Sequence, residues 1–242
     1  MDKDPFLAPI DRADSVAAQV YKRLRGALTQ GQLEPGQRLV HRLLAAEFGV
    51  SPTPVREALL RLVSEGALEL DARGIAWVPR LAADRYDEIM DLRVELEGRA
   101  AARAATLATR ADVAELDAIQ ARFLKGRAVM DRGVVLAENE RFHFGVIAIA
   151  AMPVLQRVVE SLWVQVGPTI SLLFSAPRVL APKGHGHDAL IAALKQRDAE
   201  AASAAIRRDL SEHAAVLSPL LRRSVAIPTD LQARTARRRA SS

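Results

Sequence analysis

The 242-residue sequence contains no cysteine, and only 4% of its residues are aromatic. The missing thiols exclude disulfide bonds and cysteine-ligated zinc. The scarcity of aromatic side chains, together with abundant alanine, favours helix over sheet. No apolar run approaches the roughly 18–20 residues of a membrane span, and residues 1–10 lack the basic start and apolar stretch of a signal peptide. We therefore expect a soluble, cytoplasmic protein that does not enter a membrane.

The chain also lacks an internal repeat and a glycine-rich loop of the kind that cradles phosphate groups. At 242 residues the chain is long enough for two modest domains, each with its own core.

The formal net charge of +5 is carried mainly by one end of the chain. Residues 221–242 hold 6 Lys/Arg and 1 Asp/Glu, whereas residues 1–80 hold 11 and 10, and residues 81–220 hold 17 and 18. Within residues 22–61, basic side chains nevertheless outnumber acidic ones by 7 to 3. A local basic patch of this kind is typical of a DNA-binding module.

The most informative pattern lies in residues 49–62, Gly-Val-Ser-Pro-Thr-Pro-Val-Arg-Glu-Ala-Leu-Leu-Arg-Leu. Ser51 is suited to cap a helix with its side-chain oxygen. The two prolines that follow fall in the first turn, where backbone N–H groups have no partner within the helix. Thr53 and Arg56 lie off the apolar stripe. A helix with a rigid, polar start suits the second helix of a helix-turn-helix, whose N-terminal residues face DNA base edges.

The neighbouring patterns complete a winged helix-turn-helix. Helical periodicity covers residues 15–29 and 39–48, the second stretch being closed by Gly49. Two short alternating runs flank the turn at residues 71–74 and predict a β-hairpin, with Arg73 at its tip. Three helices and a hairpin make a winged helix-turn-helix whose wing can reach a minor groove.

Residues 15–80 resemble the N-terminal domain of the GntR family of bacterial transcription regulators. The matching pieces are Gly31-x-Leu33-x-Pro35-Gly36-x-x-Leu39, Leu44-Ala45-x-x-Phe48-Gly49-Val50-Ser51, Pro54-Val55-Arg56-Glu57-Ala58-Leu59 and Gly66. The resemblance implies that operator DNA is contacted by the side chains of Arg42, Ser51, Thr53 and Arg56. It also implies contact through the wing, at Arg73 and Gly74.

One position departs from the family pattern. Where the family usually has arginine after the serine, this sequence has Pro52. Proline cannot donate a hydrogen bond to guanine, so we expect different or weaker base readout there. The alternative interpretation of Arg56 is that it pairs with Glu57 or Glu65 and only solvates a helix face.

The chain divides at Pro79 into two regions. We expect a disordered arm at residues 1–12, the winged helix-turn-helix at 13–79, a linker at 80–84, a helical effector-binding and dimerisation domain at 85–223, and a disordered basic tail at 224–242. The tail either attracts phosphates or only solubilises the end of the chain.

The second region is predicted to be an all-α antiparallel bundle of six or seven helices, so the whole chain is mainly α. Thr109 and Asp112 form a capping-box pattern at the start of one helix. A break is expected at residues 131–133, and Gly167-Pro168 is expected to end another helix. The predicted segments cover residues 84–106, 109–130, 134–151, 154–167, 169–174, 187–196 and 199–222, with a loop at 175–186.

Oxygen and imidazole side chains recur at helical spacing in this bundle. Asn139 and His143 lie four residues apart, as do Asp209 and His213, and His187 starts the penultimate helix. Donors from three helices can hold a divalent metal if they converge. The alternative is that each histidine is an ordinary core or surface residue.

Residues 85–215 are similar to the helical FCD effector domain of the FadR-type branch of the GntR family. The matching pieces are Leu92-Arg93-x-x-Leu96-Glu97, Asn139-x-x-Phe142-His143 and His187-x-x-Leu190-Ile191-x-Ala193-Leu194-x-x-x-Asp198. Many members bind a metal through an Asp or Asn, a His four residues on, and two further His. The resemblance therefore implies one divalent ion, with zinc, nickel and manganese left open.

This sequence matches that ligand register incompletely. His143 and His187 match, while Asn139 takes a place often held by aspartate. Asp209 stands where the last histidine is usual, and His213 lies one turn beyond it. We therefore expect an atypical metal site.

Arg93 carries a second expectation from the same resemblance. Its guanidinium would bind the carboxylate of a small organic acid, because guanidinium and carboxylate pair through two parallel hydrogen bonds. The alternative is that Arg93 pairs with Glu97 on its own helix.

Together the two resemblances imply a homodimeric, ligand-responsive transcription regulator. We expect a repressor that leaves a palindromic double-stranded DNA operator when a small organic acid binds the helical domain. One alternative is a metal-dependent hydrolase or lyase fused to a DNA-binding module. Another is an architectural DNA-binding protein with a ligand-free bundle. Because no nucleophile–base pair is evident in the sequence, we expect no enzymatic activity.

Overall fold

The computed structural model describes residues 15–170 and 186–225. The predicted arm at 1–12, residues 171–174 of the helix predicted at 169–174, residues 175–185 of the loop predicted at 175–186, and residues 226–242 of the predicted tail lie outside this part. Within it the chain forms nine helices and three short strands, which are α1 Val16–Thr29, β1 Arg38–Leu39, α2 His41–Phe48, α3 Pro52–Ser64, β2 Glu69–Leu70, β3 Ala76–Trp77, α4 Ala83–Leu107, α5 Arg110–Ala128, α6 Arg132–Ile149, α7 Pro153–Ile170, α8 Gly186–Gln196 and α9 Ala199–Val225.

The N-terminal region is a winged helix-turn-helix, as predicted. Ser15 caps α1 by accepting a hydrogen bond from the N–H of Ala18. Gly49 ends α2 with a φ of 67°, a left-handed conformation that glycine adopts without steric cost. The core of this region is formed by the apolar faces of α1 and α3, including Val20, Leu24, Leu28, Val55, Leu59 and Leu62.

The wing contains three strands instead of the two that were predicted. β2 and β3 form the expected hairpin, and β1 pairs with the other side of β3. Leu39 was expected to begin the second helix, but it lies in β1 opposite Ala76. Its side chain is buried in the N-terminal core, so the segment is held as a strand and the helix begins only at His41.

The start of α3 differs from its prediction in one detail. Ser51 occupies the N-cap position, but its side chain makes no capping hydrogen bond. An N-cap oxygen accepts from the N–H of the second or third helical residue. The third residue, Pro54, has no N–H, which removes one of these two donors. The Ser51 hydroxyl also makes no bond to the other donor, the N–H of Thr53.

The second region contains six helices among the described residues, within the six or seven predicted. The two longest, α4 and α9, pack against each other. The main core of this region includes a run of buried alanines on α4, namely Ala100, Ala101, Ala104 and Ala105. Small side chains let helices approach closely. The capping box of Thr109 and Asp112 is present at the start of α5. No helix in the described part of the chain is long and apolar enough to cross a membrane.

Helix α7 continues through Gly167-Pro168 to Ile170, so the predicted end at that pair is wrong. Proline removes a backbone hydrogen bond inside a helix. Here Val166, Gly167 and Pro168 are all buried, and this tertiary packing overrides the local preference. The predicted break at 131–133 is present but lies two residues earlier, because α5 ends at Ala128 and α6 begins at Arg132 after its cap Asp131.

The two regions share a packed interface between α1 and α7. Val164 of α7 is fully buried within the core of the N-terminal region. Three residues later, a Cβ on Gly167 would lie 2.6 Å from the carbonyl oxygen of Leu28 and 2.7 Å from the Cα of Thr29. Only glycine permits this approach of the two backbones. The N-terminal region is therefore packed directly onto α7.

Candidate functional site

Three helices bring His143, His187 and Asp209 together inside the second region. Each residue offers one ligand atom, and these atoms all lie within 4.8 Å of one another. His143 comes from α6, His187 from α8 and Asp209 from α9. All three side chains are buried, and Nε2 of His143 lies 3.5 Å from Oδ2 of Asp209. We refer to these three residues as the His/Asp cluster.

Glu97 fixes the ring of His143. Nδ1 of His143 lies 2.7 Å from Oε2 of Glu97, and Oε1 of Glu97 accepts a hydrogen bond from Nε of Arg93 at 2.7 Å. An ionised carboxylate only accepts hydrogen bonds, so Nδ1 of His143 carries the proton and donates it. Nε2 is consequently the nitrogen that faces Asp209.

Gln120 holds the ring of His187 in a comparable way. Nδ1 of His187 lies 2.9 Å from Oε1 of Gln120, whose Nε2 donates to Oδ1 of Asp188 at 2.9 Å. The imidazole also stacks on Phe142, with ring centroids 3.7 Å apart. Close approach of α8 to α9 requires Gly186, since a Cβ there would lie 2.5 Å from the Cβ of Asp209.

The two other predicted donors lie outside the cluster. Asn139 is half-buried one turn before His143, and no hydrogen bond or ion pair among the described residues involves its side chain. His213 lies at the edge, with Nδ1 3.6 Å from Oδ2 of Asp209 and a third of its side chain exposed.

The cluster is electrostatically coupled. Although burial favours the neutral acids, Arg93 and His143 lower the pKa of Glu97, and the contact with His143 lowers that of Asp209. Burial opposes the charged imidazole of His143, yet the two carboxylates raise its pKa above the usual value. Burial lowers the pKa of His213. Glu97 thus faces the guanidinium of Arg93, whereas Asp209 faces the imidazoles of His143 and His213.

The donor set fits a small divalent metal. Zinc takes imidazole nitrogen and carboxylate oxygen at about 2.0–2.2 Å in tetrahedral geometry, which places ligand atoms roughly 3.3 Å apart. The 3.5 Å between Nε2 of His143 and Oδ2 of Asp209 is close to that spacing. Both histidines also have their Nδ1 atoms held by acceptors, the arrangement that orients metal-binding imidazoles.

Arg93 lies next to the cluster and is almost completely buried. Its guanidinium carbon is 3.9 Å from the centre of the Trp163 ring. The pairing with Glu97 that was the alternative interpretation is present. Nη1 has only the sulfur of Met90 as a described partner, at 3.8 Å. Within the described residues, these two hydrogen bonds use two of the five N–H groups of a guanidinium.

The predicted DNA-contacting residues all lie on the surface of the N-terminal region. The exposed side chains are those of Arg42, Ser51, Thr53, Arg56 and Arg73, with Gly74 beside them. No ion pair in the described parts of the chain involves Arg42, Arg56 or Arg73. Glu65, the partner considered for Arg56, instead binds Tyr21 and Arg61.

The wing tip is tightened by Asp71. Its Oδ1 accepts from the backbone N–H groups of Arg73 and Ile75 at 2.9 and 3.0 Å. Gly74 follows with a φ of 74°. These contacts present Arg73 on a turn of defined shape.

Sequence reasoning did not identify the roles of Glu97 and Gln120. Glu97 entered as part of the Leu92–Glu97 match and as a possible partner of Arg93, and nothing in its spacing indicated His143, which is 46 residues away. Gln120 belongs to no motif, and His187 is 67 residues from it. The one local signal was the Arg93-x-x-x-Glu97 spacing, which places both side chains on one helix face.

Known proteins resemble the chain over both regions. Residues 16–76 match the model for bacterial regulatory proteins of the gntR family, and residues 88–212 match that for the FCD domain. HTH-type transcriptional regulator McbR of Escherichia coli (strain K12) is 35% identical over 205 residues, covering 84% of this chain and 93% of that protein. The solved structure of E. coli McbR/YncC has a TM-score of 0.79 at 32% identity, covering 85% of this chain and 98% of that one.

A second relative spans the junction between the regions as well. The probable D-xylose utilization operon transcriptional repressor of Paenarthrobacter nicotinovorans is 30% identical over 208 residues, which cover 85% of this chain and 88% of that protein. The similarity therefore includes the order of the two regions along the chain.

Proposed function

Because the chain belongs to the GntR family of bacterial regulatory proteins and carries an FCD domain, we propose that it is a homodimeric repressor released from its operator by a small carboxylate. The observation that carries this proposal is the buried Arg93 guanidinium beside the His/Asp cluster. Among the described residues this guanidinium hydrogen-bonds only Glu97 and the sulfur of Met90, which leaves donors for a ligand. A carboxylate suits that guanidinium in charge and shape.

The His/Asp cluster would hold one divalent ion, zinc, nickel or manganese, through His143, His187 and Asp209. Asn139 and His213 are the nearest further donors. When bound, the ion would supply a positive charge that an oxygen of the effector can share. Arg93 would then orient the same ligand from the other side, while Trp163 covers the guanidinium and excludes water.

The DNA-binding surface would use two kinds of contact. Thr53 and Arg56 lie near the start of α3, where a recognition helix meets base edges. Arg42 and Ser51 would add contacts at the same groove, and the wing residues Arg73 and Gly74 would reach a minor groove. Two copies of the chain would read the two halves of a palindrome.

Helix α7 connects the proposed ligand site to the N-terminal region and is the route by which ligand binding would release the DNA. Trp163 contacts both Arg93 and His143, and the next residue, Val164, belongs to the N-terminal core. Helix α6 adds a second connection, because Glu140 accepts a hydrogen bond from the hydroxyl of Thr29 at 2.9 Å. A ligand that repositions Trp163 would therefore move the support of α1. Release requires that the ligand bind one placement of the DNA-binding regions more tightly than the other.

The test combines DNA selection with release. Duplexes bound by the full chain are selected from a random pool, and the selected site is footprinted. We expect two half-sites and a dimer in solution, with weaker binding in Arg56→Ala. A panel of small carboxylates, with and without Zn²⁺, is then screened for release of that DNA.

Arg93→Lys separates effector binding from DNA binding. We expect this variant to bind the selected DNA normally but to resist release, because lysine retains the charge without the bidentate geometry. No selected sequence, or release that is identical in wild type and variant, would refute the proposal. Elemental analysis of wild type and of His143→Ala/His187→Ala decides the metal separately: near-stoichiometric metal should be present in the first and absent from the second.

A further inference from the structure

We propose that Gln120 and Asp188 are positioning residues of the metal site, which fix the tautomer and orientation of His187. This inference rests on the proposed binding of a divalent metal by the His/Asp cluster. It assigns a role to two residues that lie outside the ligand set, one buried on α5 and the other exposed on α8.

The first step concerns the amide of Gln120. The two ends of a side-chain amide differ, because oxygen only accepts and nitrogen only donates hydrogen bonds. The carboxylate of Asp188 only accepts, and its Oδ1 lies 2.9 Å from the amide nitrogen. Asp188 therefore sets the amide with its nitrogen outward and its oxygen toward His187.

The second step concerns the imidazole. With the amide so oriented, Oε1 of Gln120 accepts from Nδ1 of His187 at 2.9 Å. The neutral ring must then carry its proton on Nδ1 and its lone pair on Nε2. Stacking on Phe142, at an interplanar angle of 15°, restrains the ring plane. The result is an imidazole that presents Nε2 as its coordinating atom.

The ring of His143 is oriented in the same way, through a different acceptor. Arg93 fixes Glu97, and Glu97 fixes His143, as Asp188 fixes Gln120 and Gln120 fixes His187. Each histidine is thus oriented by a partner that is itself oriented. Partners of this kind typically change metal affinity by 10- to 100-fold when removed.

A simpler explanation is that Gln120 and Asp188 only tie α5 to α8. The chain offers a matched control for this explanation, since Lys195 and Asp117 join the same two helices. Their Nζ–Oδ2 distance is 2.9 Å, both side chains are exposed, and neither contacts a histidine. Removing that pair should weaken the α5–α8 contact without disturbing His187.

The experiment measures Zn²⁺ affinity of the full chain by competition with a chromophoric chelator, and the visible spectrum of the Co²⁺ form. We expect affinity to fall about 10- to 100-fold in Gln120→Leu and by a smaller factor in Asp188→Ala, with altered Co²⁺ bands in both. Asp117→Ala should stay within about twofold of wild type with an unchanged spectrum. In the double variant Gln120→Glu/Asp188→Asn, an amide donor again faces an acceptor, so affinity should be substantially restored.

Each outcome bears on a different claim. Absence of Zn²⁺ binding in the wild type removes the metal site, and the positioning role with it. Wild-type affinity and spectrum in Gln120→Leu and Asp188→Ala would overturn the positioning role while the metal site stands. Equal losses in these variants and in Asp117→Ala would also overturn it, because the tie between helices would then explain the effect. Asp188→Ala alters only an exposed side chain, so it keeps the test decisive if Gln120→Leu does not fold.

Discussion

The arginines proposed to bind ligands lie in opposite surroundings in the two regions of the molecule. Arg42, Arg56 and Arg73 of the N-terminal region are exposed, whereas Arg93 of the helical region is 1% exposed and hydrogen-bonded to Glu97. Solvated cations keep their hydration until a polyanion replaces it, and they act at long range. A buried cation has already lost its hydration, so its surroundings must be organised before any ligand arrives. The exposed arginines therefore suit long-range attraction of a polyanion, whereas the buried arginine suits selective binding of a small ligand.

Breaking the buried pair should have the largest effect. Arg93→Ala removes the cation and leaves the carboxylate of Glu97 buried opposite His143 alone. We expect the free energy of unfolding to fall by about 3–5 kcal/mol, the usual cost of an uncompensated buried charge. Urea unfolding of the full chain measures it. A loss below about 1 kcal/mol would mean that the Arg93–Glu97 pair contributes little to stability. The buried arginine would then not differ energetically from the exposed ones.

Breaking the contact between the regions should cost less. Gly167→Ala places a Cβ 2.6 Å from the carbonyl oxygen of Leu28, a backbone atom that cannot rotate away. We expect a loss of about 1–3 kcal/mol in thermal or urea unfolding, together with faster proteolysis between residues 79 and 82. Gly26→Ala is the control, because a Cβ at this position in α1 meets nothing within 4 Å. That variant should gain about 0.5–1 kcal/mol, so equal effects of the two substitutions would contradict the prediction.

Removing the exposed side chain of Arg56 should leave the free energy of unfolding almost unchanged. Arg56→Ala is expected to alter the free energy of unfolding by less than about 0.5 kcal/mol. Its affinity for the selected duplex should nevertheless fall by about 1–3 kcal/mol if Arg56 contacts a base. Arg61→Ala reverses the pattern, since Arg61 binds Glu65 and covers the Tyr21 ring at 3.7 Å. Stability loss without loss of DNA affinity in Arg56→Ala would refute the assignment.

The smallest effect concerns alkaline pH and Tyr21. Partial burial and the hydrogen bond to Glu65 raise the pKa of Tyr21 to about 12, against 10.0 for the free group. The unfolded chain therefore ionises first, and the stability that the neutral phenol contributes is lost as pH rises from about 10 to 12. Tyr21→Phe should cost about 1 kcal/mol at pH 8. The difference between wild type and variant should shrink above pH 10, as unfolding at several pH values would show; a constant difference would refute this assignment.

Local signals located most of the secondary structure. Gly49 at the end of α2 and the Thr109–Asp112 capping box mark helix ends by chemistry that acts within one turn. The winged helix-turn-helix followed from such marks. Where the local signal was opposed by burial, prediction failed, as at Leu39 in β1 and at Pro168 in α7.

The candidate site was only partly accessible to such reasoning. Helical spacing singled out Asn139 with His143 and Asp209 with His213, and His187 was added from its place at a helix start. Which of these donors meet depends on how α6, α8 and α9 pack. The acceptors that orient the two rings depend on contacts across 46 and 67 residues of sequence. Periodicity in the sequence cannot indicate contacts between residues so far apart, because such contacts are created by tertiary packing alone.

The position of Val164 in the N-terminal core has a consequence for modular exchange. A chimera joined at the linker after Pro79 would separate the DNA-binding region from a side chain that completes its interior. The unit that can be exchanged is therefore discontinuous in sequence. It comprises the residues up to 79 together with the face of α7 that contacts α1, which includes Val164 and Gly167. A graft that carries this face along should fold and respond to the recipient's effector, whereas one that cuts only at the linker should leave a gap in the transplanted core.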